Sequence, residues 1–143
     1  NNTLTLSWNN AFSIVLDGQY LYVGGQMRIS KIDLSTFTEI SVITVIQNVF
    51  DMVIVGTDLY AGVGNEDAVN VGRIHKIDTQ SFTITDTLLF ANILHNCRGL
   101  YYNGEYLFVG DWSKLIKRID LDTFTLIWLQ KEYSKFGLIT YKR

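Results

Sequence analysis

One local pattern is written three times along this chain of 143 residues: a glycine turn, an aromatic and aliphatic run, a basic-Ile-Asp triplet, then Thr/Ser-Phe-Thr. The first copy contains Asp17-Gly18, Tyr20-Leu21-Tyr22-Val23-Gly24, Lys31-Ile32-Asp33 and Thr36-Phe37-Thr38. The second contains Val55-Gly56, Asp58-Leu59-Tyr60-Ala61-Gly62, Lys76-Ile77-Asp78 and Ser81-Phe82-Thr83. The third contains Asn103-Gly104, Tyr106-Leu107-Phe108-Val109-Gly110, Arg118-Ile119-Asp120 and Thr123-Phe124-Thr125. Repetition constrains the fold more than any single residue, because a short unit cannot bury its apolar face alone and must stack on its neighbours.

A period of about 40 to 45 residues filled with short strands is the signature of propeller blades. The expected fold is therefore all-β: a β-propeller segment of about three four-stranded blades, with partial blades at both ends. In this reading residues 1–11 are the closing strand of a preceding blade. Residues 12–49, 50–97 and 98–135 are blades, and 136–143 begin a further one. Innermost strands are expected at Ser13 to Leu16, Asp51 to Val55 and Gly99 to Tyr102, because short apolar runs suit strands buried on both faces. Asp17-Gly18 and Asn103-Gly104 mark tight hairpin turns, where positive φ is needed. The recurring Asp33, Asp78 and Asp120 are expected to accept backbone N–H bonds at turns. The neighbouring Lys31, Lys76 and Arg118 are expected to be solvated. The second blade carries a loop insertion at Gly64 to Asn70.

Composition narrows the function. Hydrophobic residues make up 48% of the chain, which is enough for a core, and the formal charge is −2. No basic field supports general nucleic-acid binding, and no apolar run approaches the roughly 20 residues of a spanning helix. The opening Asn1-Asn2-Thr3 is expected of a chain trimmed or excised from something longer. The single Cys97 excludes an internal disulfide and is expected in a buried blade junction.

Leu21-Tyr22-Val23-Gly24-Gly25 and Leu107-Phe108-Val109-Gly110-Asp111, each followed by basic-Ile-Asp and Thr-Phe-Thr, resemble the YVTN and NHL group of β-propellers. The likeness runs through nearly the whole chain and rests on structural motifs. It implies a binding scaffold, often extracellular or surface-associated, with enzymes a minority. Asp111-Trp112 is similar to the dipeptide of WD-repeat proteins, but it follows the second strand instead of ending the third, so that closer match is set aside.

Polar residues sort by blade end. Loops joining successive blades share a face with loops between second and third strands, whereas the opposite face has only tight turns. The loop-rich face collects the candidate binding residues Trp8, Asn48, Asp51, Glu66, Asp67, His95, Asn96, Arg98, Asp111 and Trp112. Tryptophan at a rim suits a protein or glycan anchor. His75 aligns with tolerant strand positions and is expected at the surface. One histidine with scattered carboxylates is no zinc constellation, Asn65-Glu66-Asp67 lacks the spacing of a calcium loop, and no metal or cofactor is expected.

The leading expectation is a non-catalytic recognition or structural module that binds a protein or glycan through the loop-rich face. Its rivals are an enzyme with a polar site at the channel mouth around Asp51, His95 and Arg98, and an architectural part of an extracellular or viral assembly. Unfilled blade faces lead to the further expectation of a homodimer, or of a segment of a longer propeller chain.

Overall fold

The computed structural model describes residues 3–65, 71–90, 96–110 and 115–127, and the backbone of 130–133 and 139–142. Strands β1 (Ala11–Asp17), β2 (Tyr20–Gly25), β3 (Arg28–Asp33) and β4 (Thr38–Thr44) pair antiparallel in chain order. The second sheet is β5 (Asn48–Val55), β6 (Asp58–Gly64), β7 (Arg73–Asp78) and β8 (Thr83–Leu89). The third is β9 (Gly99–Tyr102), β10 (Tyr106–Gly110), β11 (Ile116–Asp120) and β12 (Thr125–Leu126). First strands adjoin across sheets, β1 against β5 and β5 against β9, so the three sheets converge on a common axis.

Local chemistry explains each blade. Gly18, Gly56 and Gly104 take φ values of 51°, 61° and 98° at the first hairpin, a region closed to most residues. At the third hairpin of each blade, between its last two strands, the repeated phenylalanine does what glycine usually does: Phe37, Phe82 and Phe124 have φ of 51°, 51° and 50°. That conformation is costly for a bulky residue. The preceding aspartate offsets the cost by fixing the turn. Asp33 Oδ1 accepts from Ser35 N at 2.7 Å, Asp78 Oδ1 from Ser81 N at 2.6 Å, and Asp120 Oδ1 from Asp122 N at 2.8 Å. Hydrogen bonds from Ser35 hold the Asp33 carboxyl below its ordinary pKa, and those from Ser81 do the same for Asp78.

Packing between blades repeats as faithfully as the turns. Tyr22 of the first blade meets Phe82 of the second with ring centroids 5.8 Å apart, and Tyr60 of the second meets Phe124 of the third at the same distance. Around each pair lies an apolar cluster. One holds Tyr22, Ile29, Val49, Met52, Leu59 and Ile77, the other Tyr60, Ile74, Leu107, Val109 and Ile119. Strong burial of β6 and β7 follows, since the middle blade is covered on both faces, while β2 and β3 are buried by the second blade on one face and lie beside Leu4 and Leu6 on the other.

One expectation needs correction here. Lys31 is buried and not solvated: its Nζ crosses the junction to donate to the Thr79 carbonyl at 2.7 Å and lies 4.1 Å from the Tyr20 ring centroid. An ammonium is tolerated there because an acceptor and an aromatic face replace its water. Thr3 to Trp8 forms no ladder, since no adjoining strand among the described residues pairs with it; Ser7 N donates to Glu39 Oε2 at 3.2 Å instead. At the other end, β14 (Ile139–Lys142) pairs with β13 (Gln130–Tyr133) as a two-stranded sheet.

Gly24 sets how closely the first two blades approach: a Cβ there would stand 2.5 Å from Val49 Cγ1. Gly24→Ala is expected to lower the free energy of unfolding by about 1–3 kcal/mol, the range for overpacking a filled core. Urea denaturation followed by tryptophan fluorescence checks this, and an unchanged midpoint would contradict the packing described.

Candidate functional site

Antiparallel register places the start of each first strand beside the end of the second, as in Ala11 opposite Gly25 and Asn48 opposite Gly64. The blade-to-blade connections and the second-to-third-strand loops therefore share one end of the structure. At that end β1 and β5 each carry a β-bulge, between Ala11 and Ser13 and between Val49 and Asp51. The extra residues are Phe12 and Phe50. A bulge frees one residue from the ladder and re-aims its side chain, and here the two rings stack with centroids 5.9 Å apart and planes 26° from parallel. The third repeat carries Arg98 at this position, with its guanidinium carbon 4.0 Å from the Phe50 ring centroid. Phe12, Phe50 and Arg98 thus form a continuous row on three successive inner strands, and Phe12 remains 49% exposed.

Beside this row lies Asp51. Its Oδ1 accepts from Met52 N at 2.9 Å and from Ser13 Oγ at 3.4 Å, while Oδ2 accepts from Leu100 N at 2.7 Å. One carboxylate thus links the inner strands of all three blades.

The remaining candidates separate clearly. Asn48 begins β5, half-buried and paired with Gly64. Asn96 is buried beneath the same end and bridges to Gly64; the close approach leaves no room for a Cβ on that glycine. Trp8 is not a free rim anchor, because its Nε1 donates to Ser30 Oγ at 2.6 Å and its ring fills the space above Gly25. Ser30 in turn donates to Glu39. Burial opposes ionisation of Glu39, but hydrogen bonds from Ser30, Ser7 and Trp8 outweigh it and hold the carboxyl below its ordinary value. Glu66, Asp67, His95, Asp111 and Trp112 lie outside the described residues.

His75, expected at the surface, is buried in β7, where Nδ1 meets Thr87 Oγ1 at 2.8 Å. Desolvation, reinforced by the Arg73 charge, pushes its pKa from 6.5 to about 4. It aligns with exposed-type residues in sequence, and that alignment concealed a neutral imidazole packed between strands. Cys97 is buried in the second junction, with its Cβ 3.0 Å from the position a Cβ on Gly62 would take. Among the described residues, no three His, Cys, Asp or Glu side chains gather as a metal site. The same residues include no helix long and apolar enough to cross a membrane.

Solved structures share this arrangement. The crystal structure of the RRP9 WD40 repeats superposes with a TM-score of 0.68 and 17% identity, over 83% of this chain and 38% of that one. U3-55K gives the same values. The fold is that of a β-propeller. At this identity the likeness shows the fold alone, and the chain spans about 38% of the length of each neighbour, so it is a partial ring. No family model and no curated protein sequence matches the chain. These two structures support the propeller reading and lend no support to the narrower YVTN and NHL likeness.

Two measurements test the site chemistry. Asp51→Ala should cost about 1.5–3 kcal/mol of stability, since it removes charge-assisted hydrogen bonds at two blade boundaries; Asp51→Asn, which keeps one acceptor, should cost less. Equal losses in chemical denaturation would contradict the three-strand link. For His75, the unfolded chain takes up a proton near pH 6.5 that the native state refuses until about pH 4. Stability is therefore expected to fall as pH drops from 6.5 to about 4, with no further loss from this group below that. His75→Gln should flatten that part of the profile, and an unaltered slope would contradict the buried neutral imidazole.

Proposed function

We propose that this propeller segment is a non-catalytic recognition module that holds a protein partner on its loop-bearing end. The observation that carries the reading is the Phe12, Phe50 and Arg98 row, which offers stacked π-faces and a cation on adjoining inner strands. Aromatic and arginine side chains at one position are the residue types that dominate protein interfaces. The rival catalytic reading loses its central group, because both oxygens of Asp51 are committed to holding blades together. Arg98 stacks on Phe50 instead of approaching that carboxylate as an acid–base partner.

His95, Asp111 and Trp112, with Glu66 and Asp67, belong to this proposal by chain position alone: they follow Phe90, β10 and β6 in the sequence. The WD40 fold of the neighbours supports a scaffold by analogy only. The motif likeness to YVTN and NHL propellers supports the same general role. A glycan partner is the narrower alternative, favoured if Trp112 proves to be the main contact. Self-association as a homodimer is a second form of protein partnership within this reading.

Screening the chain against displayed peptides and a glycan array distinguishes these partners. Phe12→Ala and Arg98→Ala are expected to weaken capture of a protein ligand about tenfold or more, equivalent to about 1.4 kcal/mol or above, with unchanged melting temperatures. Capture of glycans alone, or equal peptide capture by wild type and both variants, would overturn the proposal.

A further inference from the structure

Positive φ at a residue other than glycine marks the last hairpin of every blade, where Phe37, Phe82 and Phe124 adopt it. Two further residues do so outside that repeat: Asn10 at 60° and Met27 at 57°. They lie together at one corner of the loop-bearing end. Gln26 and Met27 form the two-residue hairpin between β2 and β3, closed by the Gly25 and Arg28 pair. Gln26 N donates to the Asn10 carbonyl at 3.1 Å, and Asn10 Nδ2 donates to Gln26 Oε1 at 3.1 Å. The Met27 carbonyl accepts from Val45 N at 3.0 Å and from Arg28 Nη1 at 2.9 Å. An unfavourable backbone angle persists at Met27 because these bonds over-determine the corner.

Glycine takes this φ without steric cost. Methionine in its place puts a thioether chain at the surface, where Met27 is 42% exposed. Beside it runs the connection from β4 to β5, fixed against the hairpin by the Val45 bond, and there Ile46 is 62% exposed. This connection joins two blades already stacked on each other, so the exposure of Ile46 does not come from an uncovered blade face. Phe12 follows Ala11, which lies opposite Gly25 at the base of the same hairpin. Residues 8–12, 24–29 and 43–50, all of them described, contain one ionisable side chain, that of Arg28. A second guanidinium, that of Arg98, lies over the Phe50 ring. Asp51, next in the chain, has both oxygens bonded to Ser13, Met52 and Leu100.

We infer that this corner is the docking point for an acidic, hydrophobic segment of a protein partner. A large apolar side chain of that segment rests on Met27, Ile46 and Phe12, and a neighbouring carboxylate pairs with Arg28. Methionine is suited to the first task because its unbranched, polarisable chain adapts to the shape that meets it. Guanidinium is suited to the second because its planar fork matches a carboxylate. The inference rests on the recognition reading above and supplies the chemistry of the partner. Backbone strain at Met27 is then the cost of holding an apolar anchor outward in a fixed position.

Fluorescence anisotropy with two pools of labelled synthetic peptides tests it. Each peptide carries a central Leu, Phe or Trp, flanked by Asp and Glu in one pool and by Lys and Arg in the other. The intact chain is expected to bind the acidic pool in preference to the basic one. Met27→Gly removes the anchor and relieves the strain, so it should leave the melting temperature unchanged or raise it while weakening capture about fivefold or more. Ile46→Ser should weaken capture similarly, and Arg28→Gln should erase the preference for acidic peptides. A lowered melting temperature for Met27→Gly would assign Met27 to packing and overturn the proposal, as would preference for the basic pool. Loss of capture in Phe12→Ala and Arg98→Ala, with none in Met27→Gly or Ile46→Ser, would overturn it while leaving the recognition reading intact. No peptide capture by the intact chain would overturn both.

Discussion

Everything in this structure depends on the face-to-face burial of one blade against the next. A four-stranded twisted sheet of this size has no core of its own; Tyr22 and Ile29 of β2 and β3 are buried because residues of β5 and β6 lie over them. The contact is specified twice by the same elements: a tyrosine from the second strand of one blade and a phenylalanine from the last hairpin of the next. Glycine at the facing position permits the approach, and a positive-φ turn aims the phenylalanine. Remove any one of these and the others lose their purpose, which explains why they recur together while side chains at the loop-bearing end differ from blade to blade.

Polar groups at the junctions obey the same constraint. Lys31, Asp51 and Asn96 lie where blades meet, and each would be expensive to bury without the contacts the fold supplies. Lys31 reaches a carbonyl of the next blade, and Asp51 reaches a serine and a backbone N–H on opposite sides. These groups do not add much adhesive energy over an apolar substitute. They fix the relative position of neighbouring sheets, which uniform apolar packing leaves less well determined.

The architecture was legible because its determinants are local and repeated: Asp-Gly and Asn-Gly turns, two-residue alternation, and an aspartate that caps its own turn. The candidate site was legible only in part. Asp51, Arg98 and Asn96 do gather at the end where the loop pattern placed them, but their partners come from other blades, and no spacing within the sequence reveals that Asp51 bonds to Leu100. His75 and Lys31 misled for the same reason, since burial of a strand residue depends on what covers it. Phe12 and Phe50 are absent from the sequence candidates because a bulge leaves no mark in composition; the repeat register, which puts Arg98 in the same slot, was the available signal.

That bulge separates two tasks that a regular strand would join. In an unbroken ladder, altering one side chain shifts demands on the residues opposite and on the neighbouring sheet. The bulged position at 12 and 50 lies outside that bargain, whereas the adjoining Ser13 and Asp51 carry links between blades. Within this single chain the equivalent place in the repeat already holds two phenylalanines and an arginine. The lip of the channel is thus a place where chemistry is interchangeable at little structural expense, so a ring built on this plan can acquire a new specificity one blade at a time.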